Sequence, residues 1–91
     1  MNYYTYILFS LKDNKLYIGS TSNLKARLSA HAKGNVVSTK HRRPLKLIHY
    51  EYFTEKEEAT KREIFLKSGF GRNQLKKSLP ITLTKLNYKN L

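Results

Sequence analysis

Ninety-one residues make a single domain, which excludes a separate cofactor domain or a repeat array. Eighteen Lys and Arg against six Asp and Glu leave a net charge of +12, so a polyanionic partner such as nucleic acid is expected, and less readily a membrane surface. The absence of cysteine excludes disulfides, thiolate zinc sites and cysteine nucleophiles, and no apolar run approaches the ~18 residues of a membrane span.

Tyr3 to Leu11 is aromatic and β-branched and reads as a strand. Asp13-Asn14 signals a turn, and Lys15 to Gly19 reads as the returning strand. A two-residue loop would set Tyr17 opposite Ser10 and place Tyr4, Tyr6, Leu8 and Tyr17 on one face of the hairpin. Ser20 to Asn23 offers helix caps, and Leu24, Leu28 and Ala32 follow at helical spacing, so a first helix is expected over about 22–33, stopped by Gly34. Arg27 and His31 share a face of that helix, about 60° from the Leu24–Leu28 stripe, at the edge of the buried side. Asn35 to Arg43 reads as a basic loop and Leu45 to Phe53 as a third strand. Thr54-Glu55-Lys56-Glu57 has the form of a capping box, opening a second helix that Gly69 ends after about Ser68. Arg72 to Leu79 reads as a short basic helix ended by Pro80. The order β-β-α-β-α-α predicts an α+β domain, a small three-stranded antiparallel sheet flanked by helices, over 1–79. Residues 80–91 form a C-terminal tail that either packs back or frays.

Charge is uneven along the chain. Between Asn14 and Tyr50 there is no acid and there are eight Lys or Arg, while five of the six acids fall between Glu51 and Glu63. The first residues lack the basic start and apolar core of a signal peptide, so a cytoplasmic protein, monomeric by default, is expected.

Four stretches carry the chemistry: Tyr4-Thr5-Tyr6-Ile7-Leu8; Leu16-Tyr17-Ile18-Gly19-Ser20-Thr21; Asn23-Leu24-Lys25-Ala26-Arg27-Leu28 with His31; and Glu58-Ala59-Thr60-Lys61-Arg62-Glu63. In this order and spacing, over roughly residues 3–73, they resemble the GIY-YIG nuclease superfamily. The similarity is to its small stand-alone bacterial members, close to the amino-terminal nuclease domain of the excision-repair endonuclease. The resemblance implies the GIY-YIG endonuclease fold and metal-assisted hydrolysis of a DNA phosphodiester, with RNA left open as a substrate. It implies that Tyr6 and Tyr17 flank the attacking water, one as general base. Arg27 would steady the phosphate beside His31, and Glu63 would hold one divalent cation, Mg²⁺ or Mn²⁺. His41 and Asn73 match supporting positions more loosely. The chain departs from the pattern in reading Tyr-Thr-Tyr at the first motif. It also has Ser20 where many relatives have a lysine, a cation that Lys15 or Lys40 would have to replace.

The physics fits these roles and shows their difficulty. A free phenol titrates near pH 10, so neighbouring cations would have to favour phenolate. Arginine's planar fork suits a phosphate whose charge grows in the transition state. A single carboxylate is a ligand set suited to Mg²⁺, which keeps waters and shares substrate oxygens. Each residue also has a purely structural reading: core tyrosines, a solvated helix arginine, a core histidine. Lys40-His41-Arg42-Arg43 and the group Arg72, Lys76 and Lys77 are expected to bind phosphates or to be solvated surface. The expected function is a structure-selective or weakly sequence-specific endonuclease of DNA repair or recombination. The alternative is a catalytically weak or silent nucleic-acid-binding module on the same fold. A ribosome-associated protein explains the charge alone.

Overall fold

In the computed structural model, which describes residues 2–88, Tyr3–Ser10 forms the central strand β1. Six consecutive buried residues, Thr5 to Ser10, show that both its faces are covered. Strands β2 (Leu16–Thr21) and β3 (Leu45–Phe53) flank it antiparallel, in the order β2-β1-β3. Helices α1 (Leu24–Lys33), α2 (Lys56–Lys67), α3 (Gly69–Ser78) and α4 (Pro80–Lys85), with one 3-10 turn at Lys40–Arg42, complete this α+β fold.

The hairpin register differs from the two-residue-loop expectation. Tyr17 pairs with Leu8, not Ser10. The buried Ser10 hydroxyl accepts from the amides of Lys12 and Asp13, and Asn14 takes a left-handed φ of 56°, so the connection is longer. The slip is two residues, which preserves the side-chain alternation, so Tyr6 and Tyr17 still share a face. A bulge in β3 between Leu47 and His49 turns Ile48 toward the apolar clusters.

The two faces of the sheet differ in chemistry. Ile7 and Ile18 pack with Leu66 of α2 and Leu75 of α3, and Phe9 packs with Leu83 of α4 and Tyr88. Each fully buried leucine contributes about 1.5–3 kcal/mol by leaving water. Residues 89–91 of the expected tail lie outside the described residues. The opposite face, with Tyr6 and Leu8, is covered by α1. The buried residue of that helix is His31, while Leu24 and Leu28 are only half-buried. The inward face therefore centres on a histidine, and the expected Leu24–Leu28 stripe lies at its flank.

Helix boundaries depart from expectation where local chemistry is overridden. Asn23 caps α1, its side chain accepting from the Ala26 amide at 3.1 Å. No capping box forms at α2: Glu55 is its N-cap and makes no side-chain cap bond. Gly69 does not end a helix but begins α3, which starts three residues before the expected Arg72, because Ser68 serves both as the last cap of α2 and the first of α3. Pro80 both ends α3 and starts α4, its missing N–H costing nothing at the first helical position.

Gly71 lets α3 cross the end of α2 in close contact. A Cβ there would meet the Phe65 carbonyl oxygen at 2.0 Å and the Leu66 Cα at 2.5 Å, whereas at Gly69 it would meet nothing. Gly71→Ala should therefore destabilise the fold by about 1–3 kcal/mol or more. Gly69→Ala should be neutral or stabilising by up to about 1 kcal/mol. Urea denaturation of the two variants beside the wild type separates these outcomes.

Candidate active site

Tyr6 stands on β1 directly opposite Gly19 of β2, with its phenol lying over that glycine. A Cβ at Gly19 would sit 2.6 Å from the Tyr6 hydroxyl, so no larger residue fits beneath the ring. The hydroxyl lies 2.8 Å from His31 Nε2, and His31 Nδ1 lies 2.7 Å from Thr39 Oγ1. All three side chains are buried. Tyr17 completes a ring cluster, its centroid 5.1 Å from that of His31 and 6.3 Å from that of Tyr6.

Arg27, one helical turn before His31, is exposed at its backbone turn and brings its guanidinium beside both phenols. Its charge is stabilised first by Tyr6 and, after the opposing cost of burial, by Tyr17. Burial pushes the Tyr6 phenol above its ordinary pKa. Arg27 opposes that shift, and Tyr17 and Glu63 add to it. Burial, then the Arg27 charge, hold His31 below its ordinary value, so its ring is neutral near pH 7. Arginine carries donors only, so the Tyr6 oxygen faces a donor on that side and its own hydrogen points to Nε2. The hydrogen of the neutral imidazole is then on Nδ1, donated to Thr39. This tautomer is assigned from the network.

Glu63 approaches from the other face of the sheet. Its Oε1 accepts from the Ser20 hydroxyl at 2.6 Å and its Oε2 from Lys67 Nζ at 2.7 Å. Burial alone would raise its pKa, but the Lys67 ammonium and the Ser20 hydroxyl outweigh burial and hold the carboxylate below its ordinary range. A cleft of about 340 Å³ wraps the β2 edge, with Tyr17 and Lys15 on one wall and Lys67 and Arg72 on the other. Of the clustered side chains only Tyr17 lines it, and Glu63 reaches it only through its partner Lys67.

The structure brings Tyr6, Tyr17, Arg27 and His31 together, and Glu63 is close enough to act on Tyr6 electrostatically. His41 and Asn73 are exposed and make no side-chain hydrogen bond or ion pair among the described residues. In the basic loop, Arg42 is turned inward. Its Nε lies 2.6 Å from Asp13 Oδ2, a bond that holds the Asp13 carboxyl down to about 2. Arg43 donates to the carbonyls of Lys40 and Ala32 while staying exposed, and Lys40 is exposed as well. Arg72 lines the cleft, Lys77 is exposed and Lys76 is half-buried. Of the two lysines expected to replace a cation at position 20, Lys15 lines the cleft beside Tyr17 and Lys40 does not.

Two partners carry no role that the sequence alone implies. Lys67 is legible in hindsight as the i+4 neighbour of Glu63. Thr39 is not, because a threonine in an irregular loop gives no periodic signal.

Comparison with known proteins places the whole chain. Residues 2–76 match the family model described as the GIY-YIG catalytic domain. A UPF0213 protein of Staphylococcus haemolyticus is 44% identical over 73 residues, covering 79% of this chain and 87% of that one. A UPF0213 protein of Clostridium perfringens is 44% identical over 72 residues, covering 78% and 75%. The solution structure of a UPF0213 protein from Bacillus halodurans superposes with a TM-score of 0.56 at 35% identity, covering 92% of this chain and 94% of that one.

The buried His31 makes stability pH-dependent in a definite direction. Its folded pKa lies below its unfolded one, so the unfolded chain binds the extra proton. Stability is full above about pH 6.5 and falls as the pH drops below it. The depressed carboxylates Asp13, Glu51 and Glu63 lose their contributions further down, below about pH 4.5. Denaturation curves between pH 7.5 and roughly 5 should show this first decline, and His31→Gln should flatten it. A decline of equal size in the variant would assign it to another group.

Proposed function

The chain belongs to the GIY-YIG catalytic-domain family, a nuclease family whose members act on DNA, and from that membership we propose that it is a divalent-metal-dependent DNA endonuclease. The observation that carries the reading is the Tyr6 hydroxyl 2.8 Å from a neutral His31, with Arg27 beside both phenols. A phenol whose pKa is raised is a poor base alone. Coupled to a neutral imidazole it passes its own hydrogen to Nε2 while it takes one from water, so no free phenolate forms. The water oxygen then bonds to phosphorus, the bond to the leaving sugar oxygen breaks, and that oxygen takes a proton from solvent. Tyr17, on the cleft wall, positions the water, and Arg27 donates to the phosphate oxygens as their charge grows.

The donor set suits one hard cation. Among the described residues no group of three His, Cys, Asp or Glu lies together, so the protein does not cage a metal by itself. Glu63, kept ionised and half-buried beside the cleft residue Lys67, matches a Mg²⁺ or Mn²⁺ ion that retains waters and shares substrate oxygens. Bound there, such an ion would supply positive charge to the phosphate as its own charge grows. Lys67 already holds one oxygen of that carboxylate and would have to yield it. The specificity that goes with this reading is selection by DNA shape or a weak sequence preference. Repair or recombination is the matching role.

Cleavage of labelled duplex, single-stranded, flap and four-way DNA, with Mg²⁺, Mn²⁺ or chelator, tests this. The wild type should cut only with divalent ion, and Glu63→Gln should abolish cutting. Tyr6→Phe and Arg27→Ala should each lower the rate by about 10²-fold or more. Salt-sensitive binding with no cutting by any of them would replace the nuclease reading with that of a binding module on the same fold.

A further inference from the structure

The far flank of α1 carries a second feature that the proposed cleavage chemistry does not use. Tyr4 on β1 packs edge-to-face against both Tyr50 and Tyr52 of β3, with centroids 6.0 and 5.7 Å apart. The Tyr52 hydroxyl is fixed by Asn2 Oδ1 at 3.0 Å. These contacts set the ring planes, yet Tyr50 and Tyr52 remain 52% and 53% exposed. Between α1 and this edge of the sheet runs a groove of about 550 Å³, lined by Tyr4, Tyr50, Leu24 and Leu28 together with Lys25 and three neutral polar residues, and by no carboxylate.

The groove and the active site are two sides of one helix. Tyr50 pairs in register with Tyr6, one strand spacing away, while α1 turns Arg27 and His31 toward Tyr6 and turns Leu24 and Leu28 toward Tyr50. A groove that combines two tyrosine rings and two leucines with short polar side chains and a lysine, on a chain of charge +12, is complementary to a base that has left its stack, with its phosphate on the lysine. Its few lining side chains fall well short of the ~20–30 residues that each partner brings to a stable protein interface. We propose that the α1–β3 groove takes an unpaired base of the substrate, stacked on Tyr50, so that α1 stands as a wedge between that base and the strand to be cut. The site would thereby favour DNA with a single-stranded segment beside the cleavage point. The placement beside the cut rests on the nuclease reading above, but the stacking does not.

The test is binding, in chelator, of a blunt duplex and of the same duplex with a five-nucleotide arm bearing 2-aminopurine. The wild type should bind the armed DNA about tenfold more tightly and quench the 2-aminopurine, the lower end of what one stacked base contributes. Tyr50→Ala should lose both the preference and the quenching while binding the blunt duplex as before. Tyr50→Phe should keep both, and Tyr50→Thr, which preserves strand propensity without a ring, should behave as the alanine variant does. Equal binding of the two DNAs, or quenching that survives in both ringless variants, would overturn the proposal. So would a dimer in sedimentation that Tyr50→Ala dissolves, which would make the groove a contact between copies. Adding Mg²⁺ separates the two readings: stacking without cutting rejects the nuclease and keeps the groove, and cutting without stacking does the reverse.

Discussion

The hydrogen bond from the Tyr6 hydroxyl to His31 Nε2 joins the middle of the sheet to the helix that covers it, and much of the molecule is arranged so that this bond can form. Gly19 leaves the space that the phenol fills, and Thr39 takes the other nitrogen of the ring and so ties down the loop after α1. A buried phenol and a buried imidazole, each without its partner, would cost about 1–3 kcal/mol. Together they are satisfied, and no buried side-chain nitrogen or oxygen lacks a partner among the described residues. The price of a polar centre on this face is thinner apolar packing there, and the opposite face compensates with Ile7, Phe9, Leu66 and Leu83.

Charge follows the same division between structural and free groups. Asp13 pairs with Arg42, Glu51 with Arg62 and His49, and Glu63 with Lys67. The first two are half-buried and brace the hairpin and the outer strand. The third is different because its lysine is half-exposed and can be exchanged for another cation, whereas Arg42 also donates to the Leu16 carbonyl and is fixed. Among the cations without an acid partner, Lys15 and Arg72 line the cleft and Lys25 lines the groove beside α1.

Much of this is legible in the sequence, for physical reasons that can be named. The third strand has the bounds its composition implies, Leu45–Phe53, because aromatic and β-branched residues end there at a clear turn. The shared face of Tyr6 and Tyr17 survives a two-residue shift in register, because only an odd slip would reverse it. Other features depend on tertiary context. Periodicity marks Leu24 and Leu28 as the buried stripe of α1, yet a histidine sits deepest because two hydroxyls meet it there. The Thr54-to-Glu57 pattern is present without the bond it implies, and Gly69 reads as a stop although Ser68 already turns the chain. Helix α4 is too short for a periodic signal and exists because Leu83 and Tyr88 close over Phe9. The meeting of Glu63 with Ser20 is not legible at all, since it depends on how α2 crosses β2.

The state of one ring decides whether Tyr6 has an acceptor for its hydrogen. Nitrogen-15 NMR of the His31 side chain in the wild-type protein at pH 7 reads that state directly. The expected state is a neutral imidazole with hydrogen on Nδ1 and a bare Nε2, whose signal moves when Tyr6 is replaced by phenylalanine. A charged ring, or hydrogen on Nε2, would leave Tyr6 with no base to take its proton and would contradict it.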